Sequence, residues 1–359
     1  MLKRLDRYII RQFLGTFLFI LLAIMAIAVV FDISEKTQDF ANTKATLGEI
    51  VVDYYVNFVL FYANLFSGLF IFLAVLIFTS RLAHRSEVIA ILSSGVSFGR
   101  FSRPYFLVAT LLTGLSLWVG HFLLPDANKV RLAFEEAYVR VPFRVQDRHL
   151  HREIAPGAIA YCESYAVDQR TAFRFSLEQW DGTELRKKLL SDRAVFDTTT
   201  GHWTVFDYTL RTFEPEGERI HKGARLDTAI ALVPGDLGRR NEVTSAMRTP
   251  ELDRFIEEET ARGSNTKVFA LIERHQRTSY PFASYVFTLI GLSIASRKVR
   301  GGTGVHIALG VLLILLYIFA MKITTVAATN AGLAPLTAVW IPNIIFGLVG
   351  LAIYRTAPK

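Results

Sequence analysis

The chain has 359 residues, 52% of them hydrophobic, and its 40 Lys and Arg against 32 Asp and Glu give a formal net charge of +8. Six long apolar stretches, interrupted once by about 150 mostly polar residues, argue against buried core helices of a soluble protein and for a membrane protein with one large soluble domain. The single cysteine, Cys162, leaves no intrachain disulfide, so that domain must be held by its own core.

The apolar stretches cover residues 13–31, 56–79, 105–124, 279–296, 304–321 and 335–354. Each is near the roughly 17–25 residues that cross hydrocarbon, and a backbone in lipid must satisfy its own hydrogen bonds, which predicts helices. The first follows Lys3, Arg4, Arg7 and Arg11 like a secretory signal, but it is too long for a signal core and Phe31-Asp32-Ile33 lacks a small-x-small cleavage site. It is expected to remain in the mature protein.

The short loops divide by charge. The N-terminal basic residues, then Arg81, Arg85, Arg100 and Arg103, then Arg297, Lys298 and Arg300, then Arg355 and Lys359 all fall on one side if six helices alternate. Opposite them, Asp32, Glu35, Asp39, Glu49 and Asp53 outweigh Lys36 and Lys44, and residues 326–334 carry no charge. The positive-inside rule then puts both termini in the cytoplasm and residues 125–278 outside. The net charge reflects that bias and is not a nucleic-acid footprint.

The loop after the second stretch has its own pattern. Val88, Ile91 and Leu92 recur at helical spacing behind Glu87, predicting a short amphipathic helix at about 85–95 that ends near Gly95. Two readings stand: a knob docking into a groove on a soluble partner, or an interfacial helix resting on lipid.

Residues 125–248 read mostly as strands. Apolar and polar side chains alternate from Phe173 to Glu178, Trp180-Asp181-Gly182-Thr183 makes a turn, and alternation resumes from Trp203 to about Phe213 after a turn at 197–201. Glu214-Pro215-Glu216-Gly217 turns again, and residues 225–232 offer another strand. Short strands at this spacing predict a sandwich, jelly roll or open barrel, with aromatic faces that fit either a packed core or a lipid-holding groove. After Pro234-Gly235 the pattern turns helical. Thr249-Pro250-Glu251 reads as a helix start, Leu252, Phe255 and Ile256 share a face until Gly263, and a second helical segment covers 266–275, so 249–278 is expected to be a helical connector.

Sites for chemistry are sparse. His149 and His151 lack the carboxylate or cysteine companions of a metal site, and His121 near Asp126 lacks a facing cluster for catalysis, so no metal and no catalytic residue is expected. Asn330, Pro335 and Pro342 shape the start of the last helix.

Leu5-Asp6-Arg7-Tyr8-Ile9, the Phe31-Asp32 end of the first helix, Arg85-Ser86-Glu87 with Ser94-Gly95, and the layout of three helices, β domain and three helices resemble the LptF/LptG permease family over essentially the whole chain. The resemblance implies an α+β membrane protein: helices one to three within 1–124, a periplasmic β-jelly-roll domain at 125–248, the connector at 249–278 and helices four to six within 279–359. It implies a non-catalytic permease of a lipopolysaccharide ABC exporter in a Gram-negative inner membrane. The chain has no phosphate loop, so ATP should be used by a partner and no cofactor is expected here.

Implied partners are a cytoplasmic ABC ATPase dimer, a second LptF/LptG-type permease, periplasmic jelly-roll bridge proteins like LptC and LptA, and a small bitopic protein. The ATPase would grip the short helix through Arg85, Glu87, Val88, Ile91, Leu92 and Gly95. Lys36 would hold a phosphate of the lipid head group, with Glu35 an alternative partner for it; Lys322, which ends the charge-free run after Arg300 near the outer interface, reads either as a second phosphate contact or as a lysine that snorkels without touching cargo. The lipid would enter between helix one of one permease and helix five of the other. Exposing one twelve-carbon acyl chain to water would cost roughly 10 kcal/mol at ~0.8 kcal/mol per CH₂, so a continuous apolar route is expected. Two other readings stay open: a scaffold coupling an ATPase to another envelope process, and a membrane enzyme acting on a lipid-linked sugar through His121 or Asp126.

Overall fold

The computed structural model describes residues 3–139, 149–215, 217–237, 241–261, 266–297 and 303–357. Glu216, Gly263, Lys298, Arg300 and Lys359, used above, lie outside them. The described residues form two compact units, one within Met1–Tyr138, Thr244–Asp253 and Val268–Lys359, the other within Val139–Val243 and Arg254–Lys267.

The first unit is helical. Asp6 accepts the Lys3 backbone N–H at 2.9 Å and so caps α1 (Arg4–Asn42). Ile9, Phe13, Phe17, Ile20 and Met25 form its buried stripe, whereas Leu18, Phe19, Leu22, Ile27, Val30 and Phe31 are exposed. A reciprocal Thr46–Glu49 capping box starts the one-turn α2 (Leu47–Glu49), and a π-helical stretch, Ile50–Val56, leads into α3 (Asn57–Leu65).

The second apolar stretch is not one helix. It breaks at Phe66, whose backbone leaves the helical region, and resumes as α4 (Ser67–His84). Ser67-Gly68 is the kind of pair that permits a kink, and a Cβ on Gly68 would stand 3.3 Å from the Phe287 ring. The loop helix α5 (Glu87–Ser93) follows, then α6 (Phe98–Trp118), whose Ser97 hydroxyl accepts the Arg100 N–H at 3.3 Å.

Helix continues well past residue 124, where the apolar run ends. A π-helical turn, Val119–Leu123, precedes α7 (Leu124–Tyr138), and the wider turn accommodates Pro125, which has no N–H to donate.

The second unit holds an antiparallel sheet of β1 (Leu150–Ala155), β2 (Ala158–Cys162), β3 (Ser164–Ala166), β4 (Thr171–Asp181), β5 (Glu184–Phe196), β6 (Trp203–Glu214) and β7 (Gly217–Thr228). Their order is β1-β2-β4-β5-β6-β7, with β3 pairing β4 beyond the end of β2. One face carries Leu150, Ala160, Cys162, Phe175, Leu189, Trp203 and Val205 into a buried core. Trp203 is fully buried, stacks on Phe175 at 6.0 Å and donates from Nε1 to the Leu232 carbonyl at 2.7 Å. Burial pushes the Cys162 thiol up to about 12. The expected strand over 225–232 is corrected: β7 begins at Gly217 and ends at Thr228, because the following chain turns to bury Ile230 and Leu232 in this core.

A one-turn helix α8 (Pro234–Leu237) and a 3₁₀ turn, Asn241–Ala246, lead to α9 (Thr249–Ala261), which starts at the anticipated Thr249-Pro250. The anticipated segment 266–275 and the fourth apolar stretch are one helix, α10 (Thr266–Ala295). Its early turns pack Val268 and Ile272 against Ala328 of α11 (Thr303–Asn330) and against Ala338 and Val339 of α12 (Pro335–Arg355).

Among the described residues, six helical segments are long and apolar enough to cross a membrane: Arg4–Ala41, Ser67–His84, Phe98–Tyr138, Thr266–Ala295, Gly304–Asn330 and Pro335–Arg355. Together with the antiparallel sheet between the third and fourth, they make the chain an α+β membrane protein.

Candidate functional site

Two places in the helical unit gather the residues singled out by the sequence. The first is α5. It is bracketed by two left-handed residues, Ser86 (φ 61°) and Gly95 (φ 87°), so the backbone turns sharply on either side of it. Ser86 carries a side chain in a conformation that costs about 1–2 kcal/mol, which the packing of α5 must offset.

That packing comes from Val88, which is 1% exposed and inserts into the core formed by Ile9 and Phe13 of α1, Leu82 of α4, and Phe98 and Phe101 of α6. Ile91 and Leu92 are half-buried against the same core. The outward apolar side chain is instead Ile89, 51% exposed. Helical periodicity grouped Val88, Ile91 and Leu92 correctly on one face, but could not say whether that face meets a partner or the chain's own bundle. Beside Ile89, the Glu87 carboxylate is one-third exposed, accepts the Tyr8 hydroxyl at 3.2 Å and lies 3.9 Å from the exposed Arg85 guanidinium.

The second place is the far end of α1. Lys36 Nζ pairs with Asp32 Oδ1 at 2.8 Å, hydrogen-bonds the Tyr54 hydroxyl and lies 4.5 Å over the Tyr54 ring. Its partner is therefore Asp32, one helical turn earlier, and not the adjacent Glu35. Tyr54 and Tyr55 donate to the two Asp32 oxygens at 3.2 Å each. Burial first, and then the Asp32 carboxylate, raise both phenols above their ordinary range, so they stay protonated donors. Lys322 on α11 is exposed.

One strong polar contact was absent from the sequence reading. Both Asp6 oxygens are held by Arg100, Nη1 to Oδ1 at 2.8 Å and Nη2 to Oδ2 at 2.6 Å, with Asp6 only 3% exposed. The residues are 94 positions apart, and no local spacing signals such a pair.

The remaining titratable candidates have other engagements. His121 Nδ1 lies 3.1 Å from the Thr249 hydroxyl, and Asp126 is bound two-pronged by Arg248 at 2.9 Å. His149 Nδ1 is 2.8 Å from the Tyr161 hydroxyl and the His151 ring packs on Tyr161 at 4.7 Å. They rim a cavity of about 700 Å³ on the polar face of the sheet, with Glu178, Lys188 and Thr209. Among the described residues, no three His, Cys, Asp or Glu side chains are placed to hold a metal.

The model of one protein family, described as lipopolysaccharide export system permease LptF/LptG, matches residues 7–356. No curated protein matches the chain.

Proposed function

The chain belongs to the LptF/LptG family of lipopolysaccharide export permeases, and from that premise we propose that it is the membrane-embedded, non-catalytic subunit of an ATP-driven exporter. In this reading it sits in a Gram-negative inner membrane with both termini cytoplasmic. Three membrane-spanning helical segments precede and three follow a periplasmic domain of jelly-roll type built on the strands β1 to β7, with α9 as the helical connector ahead of α10. The chain pairs with a second such permease, draws its energy from a cytoplasmic ABC ATPase dimer, and passes lipopolysaccharide to jelly-roll bridge proteins. It holds no cofactor, since ATP is used by the partner.

The observation that carries this reading is α5. A helix of seven residues between two membrane-long helices keeps Val88 inside and holds Ile89 and the Glu87 carboxylate outward. An apolar side chain beside a charged acceptor suits a groove that supplies a cation and an apolar pocket. Glu87 and Ile89 are the contacts; Val88, Ile91 and Leu92 seat the helix; Gly95 and Ser86 set its angle, and Arg85 trims the charge. Lys36, at the other end of α1, and Lys322, on α11, meet the phosphates of the cargo.

Co-purification tests the reading. Glu87→Ala and Ile89→Asp should each lower recovery of the ATPase with the tagged chain by roughly tenfold, as loss of an interface anchor does, while leaving membrane insertion intact. Full recovery and normal transport in both variants would contradict it.

A further inference from the structure

The start of α1 is fastened on both sides of the loop helix. On one side Tyr8 donates to Glu87, the first residue of α5, at 3.2 Å. On the other, Asp6 takes both prongs of Arg100 in the first turn of α6. Between these contacts Val88 of α5 is buried in the same hydrophobic cluster as Ile9 and Phe13 of α1 and Phe98 and Phe101 of α6. The first three turns of α1, α5 and the first turn of α6 thus share one packed core.

The two fastenings differ in strength. Tyr8 is 39% exposed and makes one bond to a carboxylate that solvent also reaches. The Asp6–Arg100 pair is two-pronged and its carboxylate is buried, a geometry that fixes orientation as well as distance. The Ser86 and Gly95 turns are where α5 could pivot relative to α4 and α6. A displacement of α5 dissipated at those pivots would leave the rest of the bundle unmoved. With Tyr8–Glu87 and Val88 seating α5 on the base of α1, and Asp6–Arg100 fixing that base to α6, the three elements move as one and the base of α1 follows instead. Beyond its base, α1 keeps Phe17, Ile20 and Met25 in the bundle core and exposes a broad apolar face, Leu18, Phe19, Leu22, Ile27, Val30 and Phe31, so a displacement of its base is carried to that outer face.

We infer that the Asp6–Arg100 ion pair is the transmission clamp of this permease: it forces the base of α1 to move with the α5–α6 loop, converting a pull on α5 into a displacement of the membrane face of α1. Asp6 and Arg100 are positioning residues that touch neither ATP nor cargo. The inference deepens the proposed reading of α5 and rests on it.

The test uses the complete exporter in proteoliposomes, reading ATP hydrolysis and release of labelled lipopolysaccharide to a soluble bridge protein together. Asp6→Asn should keep ATPase association and leave hydrolysis within about twofold of the parent, while lipid released per ATP falls roughly fivefold or more, the size of effect that contacting pairs reach in double-mutant cycles. The charge-swapped Asp6→Arg/Arg100→Asp protein should restore much of that ratio. Should Asp6→Asn fail to assemble, Arg100→Lys keeps the charge but loses the two-pronged fit, and the same fall in lipid per ATP is expected. An unchanged ratio in the assembled variant overturns the clamp. So does a parallel loss of hydrolysis and transport that the swap does not rescue, which marks a merely structural pair. If the parent chain recruits no ATPase at all, the reading of α5 fails first and the clamp falls with it.

Discussion

Trp203→Ala should loosen the core of the β domain in a measurable, local way. Trp203 is fully buried, stacks on Phe175 with an interplanar angle of 9°, and meets Phe196 edge-on at 5.3 Å. Truncating a buried Trp costs about 3–5 kcal/mol in lost transfer energy and cavity formation. Part of that figure is the Nε1 donation to Leu232, at 2.7 Å, which ties the chain after β7 onto the apolar face. Trp203→Phe keeps an aromatic ring of smaller size while a buried carbonyl loses its donor, and the unpaired carbonyl costs about 1–3 kcal/mol. Hydrogen-exchange mass spectrometry on the full chain in detergent reads both. At about 1.4 kcal/mol per factor of ten, amides of β6 and of residues 229–233 should exchange about a hundredfold or more faster in Trp203→Ala and roughly ten- to a hundredfold faster in Trp203→Phe. Amides of α10 to α12 should stay unchanged. Exchange in β6 within threefold of the parent for Trp203→Ala would refute the reasoning, since the side chain would then not hold this core.

Gly157→Ala should weaken the β1–β2 turn, because Gly157 has φ +73° and an added Cβ would stand 2.5 Å from the Trp180 carbonyl oxygen; early loss of exchange protection in β1 checks it. The Lys188 ammonium holds the Glu178 carboxyl below its usual range, a depressed folded value. The stability it contributes is present above the ordinary glutamate pKa and is lost as pH falls through the depressed one, so Glu178→Gln should flatten the acid limb of the β-domain melting curve. Lys36→Gln and Lys322→Gln should each reduce photocrosslinking to lipopolysaccharide in membranes, and unchanged crosslinking in the double variant would remove both from the head-group site. Asp32→Asn should leave the Lys36 ammonium less restrained, and a rise in that crosslinking checks it.

The six apolar stretches were legible because lipid imposes a demand that charge-free runs answer, and the turns at Gly182 and Gly201 because both glycines adopt the left-handed backbone those positions require. The far end of the third membrane helix was not. The apolar run ends at 124, yet α7 continues to Tyr138 on buried contacts of Phe134 and Asn128 that no hydropathy window registers. The strands β1 to β3 escaped notice because they are short, and two of them share β4 as a partner. At the site, periodicity picked out the face of α5 that carries Val88, and tertiary structure turned that face inward and left Ile89 outside. For Lys36 the sequence offered the adjacent Glu35 as partner, whereas the helix brings Asp32, one turn earlier, to it, and Tyr54 and Tyr55 join the pair only through the fold.

The most direct test of the proposed role is reconstitution of the chain with a second permease, the ATPase and a bridge protein in liposomes loaded with lipopolysaccharide. ATP-dependent transfer of the lipid to the bridge protein, abolished by Glu87→Ala together with Ile89→Asp, is the expected result. ATPase binding with no transfer of lipid under conditions where every component is folded would contradict it.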